Sequence, residues 1–237
     1  MTTTIHKAET RGHADHGWLN SHHSFSFANY YDPQRVQFGA LRVLNDDIVT
    51  GGMGFGTHPH DNMEIISIPL KGALEHKDSM GNSGVITKGE VQLMSAGTGI
   101  RHSEFNHSKT EMVNFLQLWI FPKLKNIEPR YDQKMFDLAD RKNKFQTLVS
   151  PDEENTMHIN QDAWLSMIDL EASKEIVYEV HKPGNGVYIF IIDGAVKAGD
   201  LQLNKRDGAG ITDAGEIIFK AESDAEILLI EVPMQFN

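Results

Sequence analysis

The feature that most limits how this chain can fold is an internal repeat of short, strand-like segments. Ile66-Ser-Ile-Pro-Leu-Lys-Gly-Ala73 aligns with Tyr188-Ile-Phe-Ile-Ile-Asp-Gly-Ala195, and Gly84-Val-Ile-Thr-Lys-Gly-Glu90 with Gly210-Ile-Thr-Asp-Ala-Gly-Glu216. Phe115-Leu-Gln-Leu-Trp-Ile-Phe-Pro122 aligns with Ile227-Leu-Leu-Ile-Glu-Val-Pro233. These runs are short, rich in β-branched and aromatic residues, and bounded by Gly, Pro or Asp, which is the pattern of strands. Ser79-Met-Gly-Asn82, Asp193-Gly194, Asp207-Gly208 and Asp213-Ala-Gly215 separate them with residues that tolerate hairpin turns. Closely spaced strands, repeated once, predict an all-β chain made of two sandwich or barrel units.

Composition agrees with that reading. The 237 residues, 40% hydrophobic, can bury one large core or two moderate ones, and the repeat selects two. The units are expected over residues 1–125 and 156–237, with a polar connecting segment over 126–155. Helical periodicity is scarce and confined to the region around Asp132 to Lys142, between the halves. Cysteine is absent, so disulfides and thiolate ligands are excluded and any metal must be held by nitrogen and oxygen. The first ten residues have no apolar signal core, and the longest apolar run, Val187 to Ile192, is too short to span a bilayer. No membrane insertion is expected, and a cytoplasmic location is. Net charge is −11, with 33 acidic against 22 basic residues, and no basic run stands free of acidic neighbours, which disfavours direct nucleic-acid binding.

Two histidine clusters carry the chemistry: His58-Pro59-His60 and His102-Ser103-Glu104. Each places two metal-competent side chains at i and i+2 in a segment that reads as β-structure, where such residues share one face, so both pairs can converge on a single ion. Glycines frame them: Gly52 and Gly72 around the first, with Glu64 between, and Gly89, Gly97 and Gly99 before the second. The second half lacks equivalents. Counting back from Gly194 as from Gly72, the positions matching His58, His60 and Glu64 hold Val180, Lys182 and Gly186. His181 alone is expected to be a surface or hydrogen-bonded residue.

The framed clusters resemble the two signature motifs of the cupin superfamily, and their finer wording is similar to that of the pirin family. The words that carry the resemblance are Gly56-Thr-His-Pro-His60, Leu74-Glu-His-Lys-Asp-Ser79, Gly81-Asn-Ser-Gly84 and Ala96-Gly-Thr-Gly-Ile-Arg-His-Ser-Glu104. Gly12-His-Ala-Asp-His-Gly-Trp-Leu19 through Tyr30-Tyr-Asp-Pro33 resembles the opening of bacterial pirins with quercetinase activity. Two spacings depart from the general cupin pattern: seven rather than six residues separate Glu64 from Gly72, and four rather than two separate Gly97 from His102. The second departure belongs to the pirin version. The resemblance implies a bicupin, two jelly-roll barrels in tandem, with metal only in the first.

His58, His60, His102 and Glu104 would supply three imidazoles and one carboxylate, leaving two adjacent positions on an octahedral ion for substrate and dioxygen. The donors suit Fe(II), Ni(II), Cu(II), Mn(II), Co(II) or Zn(II), and the resemblance favours Fe(II). It also implies cleavage of the heterocyclic ring of flavonols such as quercetin with dioxygen and release of carbon monoxide. Glu104 is then ligand and base in turn, taking the proton of the flavonol 3-hydroxyl. Glu64 shares the parity of His58 and His60 if the strand is uninterrupted, and is expected either to bind the ion or to hydrogen-bond a ligand histidine. His76 is expected on a hairpin strand beyond the site, and His158 at the start of the second barrel. His22-His23 with Phe25, Phe27, Tyr30 and Tyr31 reads as core at period two, a pocket wall being the other reading. Two further functions stay open: a metal-dependent redox-sensing regulator acting through a protein partner, and a zinc-dependent isomerase or hydrolase. The chain is expected to act as a monomer.

Overall fold

Strands apolar on both faces must be covered on both faces, and such strands lie at the middle of the two largest sheets. In the computed structural model, which describes residues 1–236, the first large sheet has seven strands in the order Arg130–Met135, Glu90–Ser95, Glu64–Lys71, Val113–Ile120, Leu41–Val49, Leu19–His23, Gly12–Asp15. The second has the order Thr2–His6, Gly208–Thr212, Asn185–Asp193, Ala225–Pro233, Trp164–Leu170, Gln146–Ser150, Met157–His158. Each is completed by a four-stranded sheet. One runs Gly54–His60, Ile100–Asn106, Ala73–Asp78, Ser83–Thr87; the other runs Glu175–Glu179, Glu216–Ala221, Ala195–Ala198, Leu201–Asn204. The chain is two jelly-roll barrels in tandem, and among the described residues it holds no α-helix.

Side-chain parity divides the large sheets cleanly. In Val113–Ile120, Leu116, Leu118 and Ile120 join Leu165, Tyr188, Phe190, Leu228 and Ile230 in a core between the barrels. The alternate residues Phe115, Gln117 and Trp119 face the first barrel's interior. Ile66 and Ile68 face the shared core, whereas Ile65 packs with Met94, Ala96 and Ile100 inside the first barrel. The second barrel is filled by Ile168, Ile189, Ile191, Phe219, Ile227 and Leu229. Fully burying each large aliphatic side chain is worth roughly 1.5–3 kcal/mol, so the shared core is a main source of stability rather than a loose domain contact.

Four expectations change. The polar stretch 126–155 is not a bare connector: Arg130–Met135 edges the first sheet, and Gln146–Ser150 joins the second. A polar segment can still supply an edge strand such as Arg130–Met135, because edge strands carry a solvated face. Thr2–His6, expected within the first unit, pairs instead with Gly208–Thr212 of the second, so the N-terminus reaches across. The helical pattern around Asp132–Lys142 is a strand followed by one 3-10 turn at Leu138–Arg141, capped by the Asp137 carboxylate on Ala139 N–H. The repeat also runs in a different register. Sheet order equates Glu90–Ser95 with Gly208–Thr212, so matching Gly84–Glu90 to Gly210–Glu216 paired hairpins one strand out of step. Similar turn residues recur at every hairpin, which makes that slip easy. The strands of the second barrel that match the two histidine strands, Glu175–Glu179 and Glu216–Ala221, hold no histidine.

Glycine is required where the chain turns into the central histidine strand. Gly97 has φ +49°, and a Cβ there would fall against the backbone carbonyl of Ile127. Gly56 has no such crowding and no positive φ. Gly97→Ala should therefore lose about 2–4 kcal/mol, whereas Gly56→Ala should stay within about 0.5 kcal/mol, readable by denaturant unfolding.

In the second barrel Glu231 is fully buried and accepts from Tyr178 OH, His181 N, His181 Nδ1, Lys182 N and Asn185 Nδ2 at 2.8–3.1 Å. His181 stacks on Trp164, with ring centroids 4.9 Å apart, and is thus a hydrogen-bonded structural residue. Burial pulls the His181 pKa down, but the hydrogen bond and charge of Glu231, helped by Glu153, outweigh it and leave the pKa raised. Burial likewise opposes ionisation of Glu231, yet the donors from His181 and Asn185 hold its pKa low. The raised histidine stabilises the fold below pH 6.5 and loses that contribution as pH rises through its folded value. The depressed glutamate contributes above pH 4.5 and loses it as pH falls. The stability deficit of His181→Gln should be greatest between about pH 4.5 and 6.5 and shrink toward pH 8, measured by urea unfolding across that range.

Candidate metal centre and adjoining cavity

Strand Ile100–Asn106 lies between Gly54–His60 and Ala73–Asp78, and its inward residues are Ile100, His102, Glu104 and Asn106. Register places His102 opposite His58, and Ile100 opposite His60. On the other side His102 faces Asp78 and Glu104 faces His76. Pairing of strands, not proximity in sequence, thus collects the inward side chains at one place.

His58, His60 and His102 each offer a ring nitrogen within 4.8 Å of the other two. One ion held at about 2.1 Å from each nitrogen needs donors up to about 4 Å apart, so small side-chain adjustments suffice. The ring centroids lie 4.4–4.9 Å from one another, and His60 is set edge-on against Trp119 at 4.9 Å. Burial, reinforced by the neighbouring imidazoles, lowers the pKa of His60 to about 4 and that of His102 to about 2. Both rings are therefore neutral at pH 7 and keep a lone pair for a cation. His58 Nδ1 lies 2.8 Å from Gly56 O, which only an N–H can satisfy, so its Nε2 carries the lone pair. His102 Nε2 is buried and has no hydrogen-bond partner among the described residues. A cluster of this kind costs desolvation unless something accepts those lone pairs, and a divalent transition-metal ion fits the donors.

Glu104 stands beside that trio rather than within it. Its carboxylate is fully buried, accepting from Ser67 Oγ at 3.0 Å and Gln117 Nε2 at 2.6 Å. Burial raises its pKa against the pull of those two donors. Glu64 is elsewhere. Its carboxylate accepts from Ser95 Oγ at 2.8 Å and Asn160 N at 3.3 Å, tying the first barrel to the segment entering the second. It thus neither joins the histidines nor bonds to one of them. Asn62, with φ +47°, turns the chain between Gly54–His60 and Glu64–Lys71, which belong to different sheets, so the parity that linked Glu64 to His60 does not survive.

A cavity of about 450 Å³ opens beside the histidines. Trp18, Phe27, Phe55 and Trp119 supply apolar walls, while His58, Glu104, Gln117 and Asp47 stand where chemistry is needed. The volume lies in the range of small-molecule sites, and flat aromatic walls suit a planar ligand. Asp47 is buried against Ser21 Oγ, and burial raises its pKa to about 7 despite that hydrogen bond. A larger depression of about 870 Å³ lies on the second barrel beside Lys182 and Asn185, without histidine.

Other histidines differ from expectation. His76 is not beyond the site: it is buried, with Nδ1 3.5 Å from His102 Nδ1 and its ring stacked on Tyr131 at 4.6 Å. The signal was present in its pairing opposite Glu104, which needs the strand register and not sequence alone. Of the aromatic run near the N-terminus, Phe25 is core, whereas His23 and Phe27 line the cavity, so both readings hold for different residues. His22 stacks on His13 at 4.6 Å. His158 opens no long strand: it ends a two-residue strand, with Nδ1 2.9 Å from Pro151 O. Ser67, Gln117 and Asp47 went unnoticed, because isolated polar residues inside apolar strands show their partners only once sheets are stacked.

Comparison with known proteins agrees with this geometry. Residues 4–120 match the family described as Pirin, and residues 147–232 match the quercetinase C-terminal cupin domain. The chain is 45% identical over 230 residues to a protein of Escherichia coli K12 named quercetin 2,3-dioxygenase, covering 97% of this chain and 98% of that one. It is 43% identical over 222 residues to a pirin-like protein of Caulobacter vibrioides, covering 93% and 95%. The crystal structure of the bacterial pirin YhhW from Escherichia coli in complex with nickel(II) superimposes with TM-score 0.93 at 43% identity, covering 98% of this chain and 99% of that one. No helix among the described residues is long and apolar enough to cross a membrane. Matched at this level over nearly its whole length, with three convergent histidines in the first barrel and none in the matching strands of the second, the chain belongs to the pirin family of bicupins.

Proposed function

We propose that this protein is a metal-dependent dioxygenase that opens the central heterocyclic ring of flavonols such as quercetin, consuming dioxygen and releasing carbon monoxide. The observation that carries the reading is the convergence of three buried or half-buried imidazoles, one of which, His58, lines a cavity with aromatic walls. The names of its relatives support the same substrate class. His58, His60 and His102 would hold one divalent ion, with Glu104 as the fourth ligand and Fe(II) the favoured metal. When bound, the ion would supply a Lewis acid for a deprotonated hydroxyl oxygen and a redox-active centre next to dioxygen.

The chain's own residues do the rest. Trp18, Phe27, Phe55 and Trp119 offer stacking surface to the flat ring system and exclude water from it. Glu104 takes the proton from the flavonol 3-hydroxyl, leaving an electron-rich oxyanion beside the histidines. Ser67 and Gln117 fix its carboxylate, so that its oxygens are presented in one orientation.

Anaerobic reconstitution with Fe(II) or Ni(II), followed by oxygen uptake and carbon monoxide release on several flavonols, tests the reading. One dioxygen consumed and one carbon monoxide released per flavonol is expected. Oxygen-independent conversion would point to an isomerase or hydrolase instead, and negligible turnover of every flavonol with metal bound would point to a regulatory module. His60→Ala should weaken metal binding by more than roughly 100-fold, beyond what loss of an outer hydrogen-bond partner costs. Glu104→Gln should lower flavonol turnover by at least about 100-fold if the proton transfer is real, and unchanged turnover in the metal-loaded variant would remove Glu104 from the chemistry.

A further inference from the structure

Asp78, His76 and His102 form a chain of polar contacts running inward from a hairpin turn. The Asp78 carboxylate accepts from Met80 N at 2.9 Å, Asn82 N at 3.0 Å and Asn82 Nδ2 at 2.9 Å. Burial opposes its ionisation, but these donors and His76 outweigh burial and keep its pKa low, so it is an acceptor only. His76 Nε2, 3.2 Å from Asp78 Oδ2, must then carry a proton. In a neutral imidazole that leaves His76 Nδ1 with a lone pair, which also suits the Gln92 amide nitrogen 3.4 Å away. His76 Nδ1 faces His102 Nδ1 at 3.5 Å. Two lone pairs cannot face each other there, so His102 Nδ1 is the N–H and its unpartnered Nε2 is the free base.

We propose that Asp78 and His76 are positioning residues that fix the tautomer of His102, so that Nε2 presents its lone pair toward His58 and His60. The device extends to Tyr131, whose ring stacks on His76 at 4.6 Å and 20°. Tyr131 lies on the Arg130–Met135 strand that edges the first sheet, so the chain leaving the first barrel returns to clamp the ring that orients a ligand histidine. This rests on the proposed metal role of His102, yet the tautomer is set by protein groups alone and is measurable without metal.

The test is long-range ¹H–¹⁵N NMR of the histidine rings in the metal-free full chain, combined with Ni(II) titration. Wild type should show His102 protonated on Nδ1 and His76 on Nε2. A proton on His102 Nε2, or on both His76 nitrogens, would overturn the proposal whether or not any variant folds. His76→Leu should shift His102 toward a mixture of tautomers and weaken Ni(II) binding by about 10–100-fold. His76→Gln, whose amide oxygen still accepts from His102 Nδ1–H, should recover most of the loss. A folded His76→Leu protein with unchanged His102 tautomer and unchanged Ni(II) affinity would also overturn it. If wild type binds no Ni(II), the metal reading of the site fails, while the nitrogen shifts still decide the tautomer relay.

Discussion

The site depends on the central place of strand Ile100–Asn106 in its four-stranded sheet. A strand with neighbours on both sides brings residues from three segments to one inward face, and here those residues are His58 and His60, His102 and Glu104, His76 and Asp78. Displacement of that strand by one residue would turn His102 and Glu104 outward and replace them with Arg101, Ser103 and Phe105. The buried imidazoles, the buried carboxylates and the cavity all presuppose this register. The turn at Gly97 and the irregular pairing between His102 and Glu104 are the local features that set it.

The two barrels are one architecture used twice for different ends. In the first, the interior of the large sheet gives up apolar contacts for Ser67, Gln92, Gln117 and Asp47, and a reactive pocket results. The second packs Ile189, Ile191, Phe219 and Leu229 in its interior, and its buried carboxylate Glu231 is satisfied by five donors. Their large sheets share a continuous core, and each barrel borrows an edge strand from chain outside its own body. The N-terminal strand closes the second sheet, and the strand after the first barrel closes the first.

Much of this was legible in the residues. Strand character, the repeat and the i, i+2 histidine pairs follow from period-two patterning, which is a local property. The clustering of His58, His60 and His102 was readable because each pair lies within one strand. Glu64 was misread because parity carries only as far as the strand does, and Asn62 ends it. His76 was misjudged for the opposite reason: only the pairing of Ala73–Asp78 against Ile100–Asn106 brings it to the site. The polar segment 126–155 hid Arg130–Met135 because an edge strand with one solvated face reads as a connector.

The central claim is that three histidines of the first barrel hold a single divalent cation. It is tested most directly by anomalous diffraction at the nickel edge from crystals of the full chain loaded with Ni(II). A single peak about 2.1 Å from a ring nitrogen of each of His58, His60 and His102, at Nε2 for His58 and His102, is the result this account predicts. Peaks only at other residues, or three histidine rings turned away from one another in the loaded crystal, would contradict it.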